Sequence, residues 1–126
     1  MKKAVIGALL IVLALVMGIT SLKIIDKSCD ELTERLDALK SAAESGTKEE
    51  LNRESVLLNR LWEKKKTFFH IFSNHSVTSE LEKDLGKLMY FTEKGDTESL
   101  LEACRDCRND TQHIKRSSEP SLSNIF

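Results

Sequence analysis

Two hydrophobic patterns follow each other in the N-terminal part of the chain. Nineteen residues from Ala4 to Leu22 carry no charge, which at 1.5 Å per residue makes about 28 Å of helix, close to a hydrocarbon core of roughly 30 Å. Apolar positions then recur at intervals of three and four: Leu22, Ile25, Cys29, Leu32, Leu36, Leu39 and Ala43. Because no Gly or Pro lies between Gly18 and Gly46, the pattern predicts one helix that runs on to about Ser45.

Helical spacing continues in three further segments, predicted at 48–72, 77–94 and 97–116. The second helix is predicted to bury one stripe: Leu51, Leu58, Leu61, Trp62, Phe68 and Phe72. The third offers Val77, Leu81, Leu85, Leu88 and Phe91, and the fourth offers Leu100, Cys104, Cys107, Thr111 and Ile114.

Turn residues separate the four segments. Gly46 is expected as a left-handed C-cap and Thr47 as the next N-cap, while Ser76 or Thr78 and then Asp96 cap the later helices. Short turns make neighbouring helices antiparallel. We therefore predict an all-α protein with an anchor at 1–22, an up-down-up-down four-helix bundle at 23–116 and a tail at 117–126.

The N-terminal segment fits an uncleaved membrane anchor better than a signal peptide, because Gly18 and Thr20 make a poor cleavage site. Lys2 and Lys3 directly precede the apolar run, which favours a cytoplasmic N-terminus and an extracytoplasmic domain at the plasma membrane. Within the span, Gly7, Ala14 and Gly18 lie on one face that could let two copies pack as a homodimer, although glycine in a membrane helix is more often without consequence.

Charge argues against a nucleic-acid partner. The chain has 19 Lys and Arg, 20 Asp and Glu and a net charge of -1, and without residues 1–22, which hold only Lys2 and Lys3, the balance is -3. Nucleic-acid binders are usually basic. The length of 126 residues, with one Pro and five Gly, suits one slim helical domain rather than a large enzyme.

Several stretches resemble the family of membrane proteins known as domain of unknown function 4363. They are the lysine-led span, Leu61-Trp62-Glu63-Lys64, Asn74-His75 and the closing Ser121-Leu122-Ser123-Asn124-Ile125-Phe126. The resemblance covers essentially the whole chain and implies the same architecture with a single-span anchor. The family has no established activity, so the resemblance supplies no catalytic residue.

The cysteines have three interpretations. Cys104 and Cys107 have the spacing of a thiol redox motif, but they lie within a helix rather than at its N-terminus. Cys29 and Cys107 are expected at similar heights above the membrane, so a disulfide between them and simple core packing both stay open. His70, His75 and His113 lack the spacing of a metal motif, and we expect no metal and no cofactor.

An interaction patch is expected at the membrane-proximal end. Phe69 and Ile71 fall off the predicted stripe, and Trp62 and the apolar tail are close to them in the predicted topology, so the candidate residues are Trp62, Phe69, Ile71, Leu122, Ile125 and Phe126. The patch would contact lipid or a partner, and additional core packing is about as well supported.

These features predict a non-catalytic interaction or accessory module for another envelope or membrane protein. The first alternative is a sensor or carrier that binds a small ligand between its helices, which an interior polar cluster would favour. The predicted stripes offer only Thr111 and the thiols inside, so the interaction module is preferred. An envelope thiol enzyme using Cys104 and Cys107 is the third hypothesis.

Overall fold

Four helices make up the part of the chain that the computed structural model describes, residues 1–118. They are α1 (Lys2–Ser45), α2 (Lys48–Phe72), α3 (His75–Lys94) and α4 (Thr97–Ser118). Helix α3 begins two residues earlier than predicted and α4 extends two residues further. Leu122, Ile125 and Phe126 lie outside the described residues, so the expectations for the tail stay predictions.

Helix α1 is continuous from the apolar run into the bundle, as the lack of breakers predicts. It has 44 residues, and nearly all of its residues before Ser21 are exposed, whereas full burial begins at Ile25. This helix is long and apolar enough to cross a membrane. From Ile25 onward, the predicted stripe is buried through Cys29, Leu32, Leu36 and Leu39.

The helices form an antiparallel bundle in which each one packs against its neighbours in sequence, and α4 closes the square by packing against α1. Helices α2 and α3 pack least closely, and a shallow groove with Gly86 and Met89 on its wall runs between them. The core is continuous, and its fully buried large apolar side chains come from all four helices: Ile25, Leu32, Leu36, Leu39, Leu58, Phe69, Leu81, Leu88, Leu100 and Ile114. The all-α bundle predicted from the hydrophobic spacing is confirmed.

The predicted N-caps of α2 and α4, Thr47 and Asp96, are confirmed. The Glu50 N–H donates to the Thr47 hydroxyl at 3.2 Å, and the Ser99 N–H donates to Asp96 Oδ1 at 3.2 Å. Each bond satisfies a backbone donor that has no partner within its own helix.

The predictions for the C-cap of α1 and for the N-cap of α3 are wrong. Gly46 has φ -92° and is extended rather than left-handed, and a Cβ there would lie 2.8 Å from the Ala42 carbonyl oxygen, so close approach is what requires glycine. Asn74 caps α3, because its Oδ1 accepts from the N–H groups of Ser76 and Val77. Thr78 is buried instead, with its hydroxyl bonded to that of Ser73.

Ion pairs join α1 to both α4 and α2. Lys115 on α4 lies 2.6 Å from Asp30, and Arg108 lies 3.1 Å from Asp37. On the other side, Arg35 lies 3.4 Å from Glu54 of α2. Such partly exposed pairs contribute about 0–1 kcal/mol each, so they support the register that the core already sets.

Candidate functional site

The predicted aromatic patch is wrong for two of its residues. Phe69 has no exposed surface and Trp62 is 5% exposed, and their rings lie 5.7 Å apart within the core. Helix α2 contacts both α1 and α3, so its buried arc is wider than a single stripe. Phe69 is therefore buried although it lies off the predicted stripe, and Trp62 is buried as part of that stripe.

The last turn of α2 carries the exposed part of the patch. Ile71 is 66% exposed, as predicted, but Phe72 is 48% exposed although it was assigned to the core. The Phe72 ring lies 4.5 Å from the ring of Phe68, centroid to centroid, and Phe72 shares a shallow groove with α1 residues from Met17 to Leu22. The exposed aromatic end of the bundle thus lies beside the last turn of the uncharged run.

All three cysteines are buried free thiols. Burial is the main cause that raises the pKa of Cys29 to about 12 and that of Cys104 to about 11, and it also raises the pKa of Cys107. The Cys104 thiol donates to the Leu36 carbonyl oxygen at 3.3 Å. A thiol that stays protonated at neutral pH is a poor nucleophile.

The expected match in height between Cys29 and Cys107 is off by about one helical turn. Cys104 lies level with Leu36, so Cys107 lies roughly 4 Å and Cys29 roughly 10 Å nearer the N-terminal end of α1, at 1.5 Å per residue. The remaining offset of about 6 Å along the axis adds to the separation of the helices, and a disulfide needs Cα atoms within about 7 Å. The register therefore favours core packing over a bond between these two cysteines.

We expect a maleimide added to the folded full-length protein at pH 7.5 to leave the three native thiols largely unmodified, because they are both buried and protonated. In guanidinium, all three should react. Ser45→Cys on the exposed end of α1 is the control and should react at once in the folded protein. Rapid modification of Cys104 or Cys107 without unfolding would contradict this prediction and support the thiol-enzyme hypothesis.

An interior polar cluster, which the sequence reasoning did not identify, lies between α3 and α4. Asp84 is 7% exposed, and it faces Asp110 across the helix interface, with Cys107 nearby. Thr111 and Thr92 are also buried, but their hydroxyls donate to carbonyl oxygens of their own helices, at 2.8 Å each. In this cluster, the carboxyl groups of Asp84 and Asp110 are the ones that form a hydrogen bond between helices.

The carboxyl pair retains a proton to unusually high pH. Asp110 Oδ2 is shielded from solvent and finds no donor among the described residues unless one of the two carboxyl groups is protonated. Burial first, then the hydrogen bond and the charge of Asp84, raise the pKa of Asp110 to about 8, and Glu80 and Asp106 add to the effect. At neutral pH Asp110 is therefore mostly protonated and can donate a hydrogen bond to Asp84.

The spacing of residues along α3 and α4 indicates that Asp84 and Asp110 face the interior. Asp84 lies between Leu81 and Leu88 at the intervals of a core stripe, and Asp110 follows Cys107 by three residues. An acid at such a position faces the interior whenever the helix is covered on that side. The apolar residues beside these two acids belong to the predicted stripes, whereas the stripes do not include the acids themselves.

Histidines do not converge on a metal-binding geometry. His70 Nε2 lies 2.7 Å from Glu82 Oε2, and the rings of His70 and His75 are 5.6 Å apart, but within residues 1–118 no group of three His, Cys, Asp or Glu side chains could hold a metal ion. His113 lies exposed on α4. The described histidines thus act as surface and turn residues.

The structure defines an antiparallel four-helix bundle whose first helix extends beyond the bundle as a bare apolar segment. By family, the chain belongs to the domain of unknown function DUF4363, whose model matches residues 19–125. The match includes the last turn of the apolar run, the whole bundle and most of the tail. No curated protein and no solved structure matches the chain.

Proposed function

We propose that this protein is a single-pass membrane protein whose extracytoplasmic bundle is a non-catalytic interaction module for another envelope or membrane protein. The observation that carries the proposal is the continuity of α1, because one helix of 44 residues holds both the apolar run and a quarter of the bundle. No flexible linker separates the two parts. The bundle is therefore held at a fixed height above the membrane, which suits a surface that must meet a membrane-bound partner.

The chemistry of the interior supports a binding role over thiol catalysis. The thiols are mid-helix, buried and protonated, and Cys104 is already bonded to the Leu36 carbonyl. The described grooves are shallow and open on the surface, and their walls are built from charged and apolar side chains of adjacent helices. These surfaces suit contact with another protein.

The second candidate function is a sensor, and the Asp84–Asp110 pair favours it. A carboxyl pair that holds a proton between two helices is a polar cluster of the kind that a ligand-responsive bundle needs. Neither carboxyl group lines the grooves between α1 and α4 or between α2 and α3, so a proton is the ligand that this pair suits best.

A membrane-impermeant amine crosslinker added to intact cells tests the proposed function. Lys40, Lys48 and Lys87 are exposed on the bundle, so an extracytoplasmic domain should form an adduct with one envelope protein without permeabilisation. A matched variant with Lys→Arg at every lysine from Lys23 to Lys115 keeps the charge but should lose the adduct.

Two results would contradict the proposal. An adduct that appears only after the cells are permeabilised would place the bundle in the cytoplasm and reverse the orientation inferred from Lys2 and Lys3. Adducts that contain only copies of this chain, at expression close to the natural level, would replace the envelope partner by self-association.

A further inference from the structure

Helix α2 ends in an apolar tip. Ile71 and Phe72 are 66% and 48% exposed, whereas the preceding aromatic residue that faces inward, Phe69, is fully buried. Two adjacent large apolar side chains at a helix end are costly to leave in water, at about 25 cal/mol for each Å² of apolar surface.

The tip lies at the depth of the apolar run. Phe72 lines a groove together with α1 residues Met17, Gly18, Ser21 and Leu22, all of which precede Lys23, the first charge after the run. If residues 4–22 span the bilayer, the end of α2 reaches the level at which acyl chains meet headgroups.

Several polar groups of the turn after the tip are satisfied internally, which lowers the cost of entering that layer. The Ser73 hydroxyl bonds to the Phe69 carbonyl oxygen and to the Thr78 hydroxyl. Asn74 Oδ1 accepts from the N–H groups of Ser76 and Val77, and the Ser21 hydroxyl in the adjacent span donates to the Met17 carbonyl oxygen. An interfacial turn without such partners would carry a desolvation cost.

Charges around the same level also fit a lipid surface. Lys23 and Lys27 are exposed on α1 just after the apolar run. The nearby acids Asp26 and Asp30 both lie close to Lys115, at 3.8 and 2.6 Å. Basic side chains at headgroup depth are attracted to lipid phosphates.

We propose that Ile71 and Phe72 insert into the interface of the bilayer that α1 spans, as a second membrane contact of the bundle. This contact rests on the proposed membrane anchor and goes beyond it. A bundle held by α1 alone could tilt about the point where the helix leaves the lipid. With α1 and the α2 tip both fixed in the interface, the bundle stands in one orientation relative to the bilayer.

Quenching by brominated lipid tests this contact in the full-length protein. Phe72→Trp, and separately Ile71→Trp, are made with Trp62 retained, and each protein is reconstituted into phosphatidylcholine vesicles with or without bromine near the headgroup end of the acyl chains. Trp62 is buried roughly 15 Å further up α2, so the wild-type protein supplies the baseline. Tyr90→Trp, at an exposed position 55% accessible on α3, is the matched control.

The tryptophan added at 71 or 72 should lose most of its emission in brominated vesicles, while the one at 90 should lose none. Equal emission at 72 and 90 in vesicle-bound protein would overturn the lipid contact, and so would shielding of position 72 by a second copy, seen as a crosslinked dimer through this face. Flotation of the vesicles tests the anchor separately, because protein that carbonate washes off the vesicles lacks the span on which both proposals rest.

Discussion

Leu32→Asp should unfold the bundle while leaving the apolar N-terminal helix able to enter a membrane or detergent micelle. Leu32 has no exposed surface and lies in the middle of the α1 stripe, between Cys29 and Leu36. A carboxylate at this position would have no partner and would lose its hydration, at a cost of several kcal/mol. Because small domains have only about 5–15 kcal/mol of stability in total, this single change is enough to remove most of it.

Circular dichroism and thermal melting of the full-length protein in detergent measure this effect. Ser41→Asp is the matched control, since it adds the same charge to an exposed position of the same helix and should keep the melting temperature within a few degrees. If Leu32→Asp kept native helicity and a native melting temperature, this face of α1 would not be the centre of a bundle.

The second large effect concerns pH. We expect the bundle to lose stability as the pH rises from about 4 to about 8, so that it is less stable at pH 9 than at pH 5. The pKa of Asp110 rises from an ordinary value of 3.8 to about 8 in the folded protein. Between these two values the folded state binds more protons than the unfolded chain, so its stability falls as pH rises through this window.

Asp110→Asn should remove most of that slope. The amide carries no charge and can donate a hydrogen bond to Asp84, so the variant should match the wild-type protein near pH 5 and exceed it near pH 9 by about 2 kcal/mol once solvent screening of this half-exposed group is allowed for. Urea unfolding at pH 5, 7 and 9 gives the three free energies of unfolding that are needed.

Asp106→Asn is the control for net charge. Asp106 is exposed on the same helix and is a minor contributor to the raised pKa, so its loss should leave the slope nearly intact. A wild-type protein whose stability rose between pH 5 and 9, or an Asp110→Asn variant with an unchanged slope, would mean that the two carboxyl groups do not share a proton.

The same pair bears on the two functional hypotheses. If proton loss weakens the interface between α3 and α4, the surface that these helices present to a partner would change with external pH. The protein would then be both an interaction module and a pH sensor. If stability changes with pH but partner binding does not, the pair is a structural element only. Repeating the crosslinking at pH 5 and pH 8 distinguishes these outcomes.

Sequence alone determined the local features of this protein. The uncharged run, the four helices and the caps Thr47 and Asp96 depend on residues within a few positions of each other, so spacing and residue type were sufficient to predict them. The continuity of α1 followed in the same way, because a helix that lacks Gly and Pro has no local reason to stop.

Only the tertiary structure decided which side chains outside the predicted stripes are also inside, and which stripe residues are not. A stripe describes one buried side, but every helix here packs against two neighbours, and the position of the second neighbour decided that Phe69 is buried while Phe72 is exposed. The vertical register between helices is likewise absent from the spacing of any one of them. That register placed Cys29 a turn away from Cys107, and it brought Asp84 of α3 against Asp110 of α4, where burial gave an ordinary acid an unusual pKa.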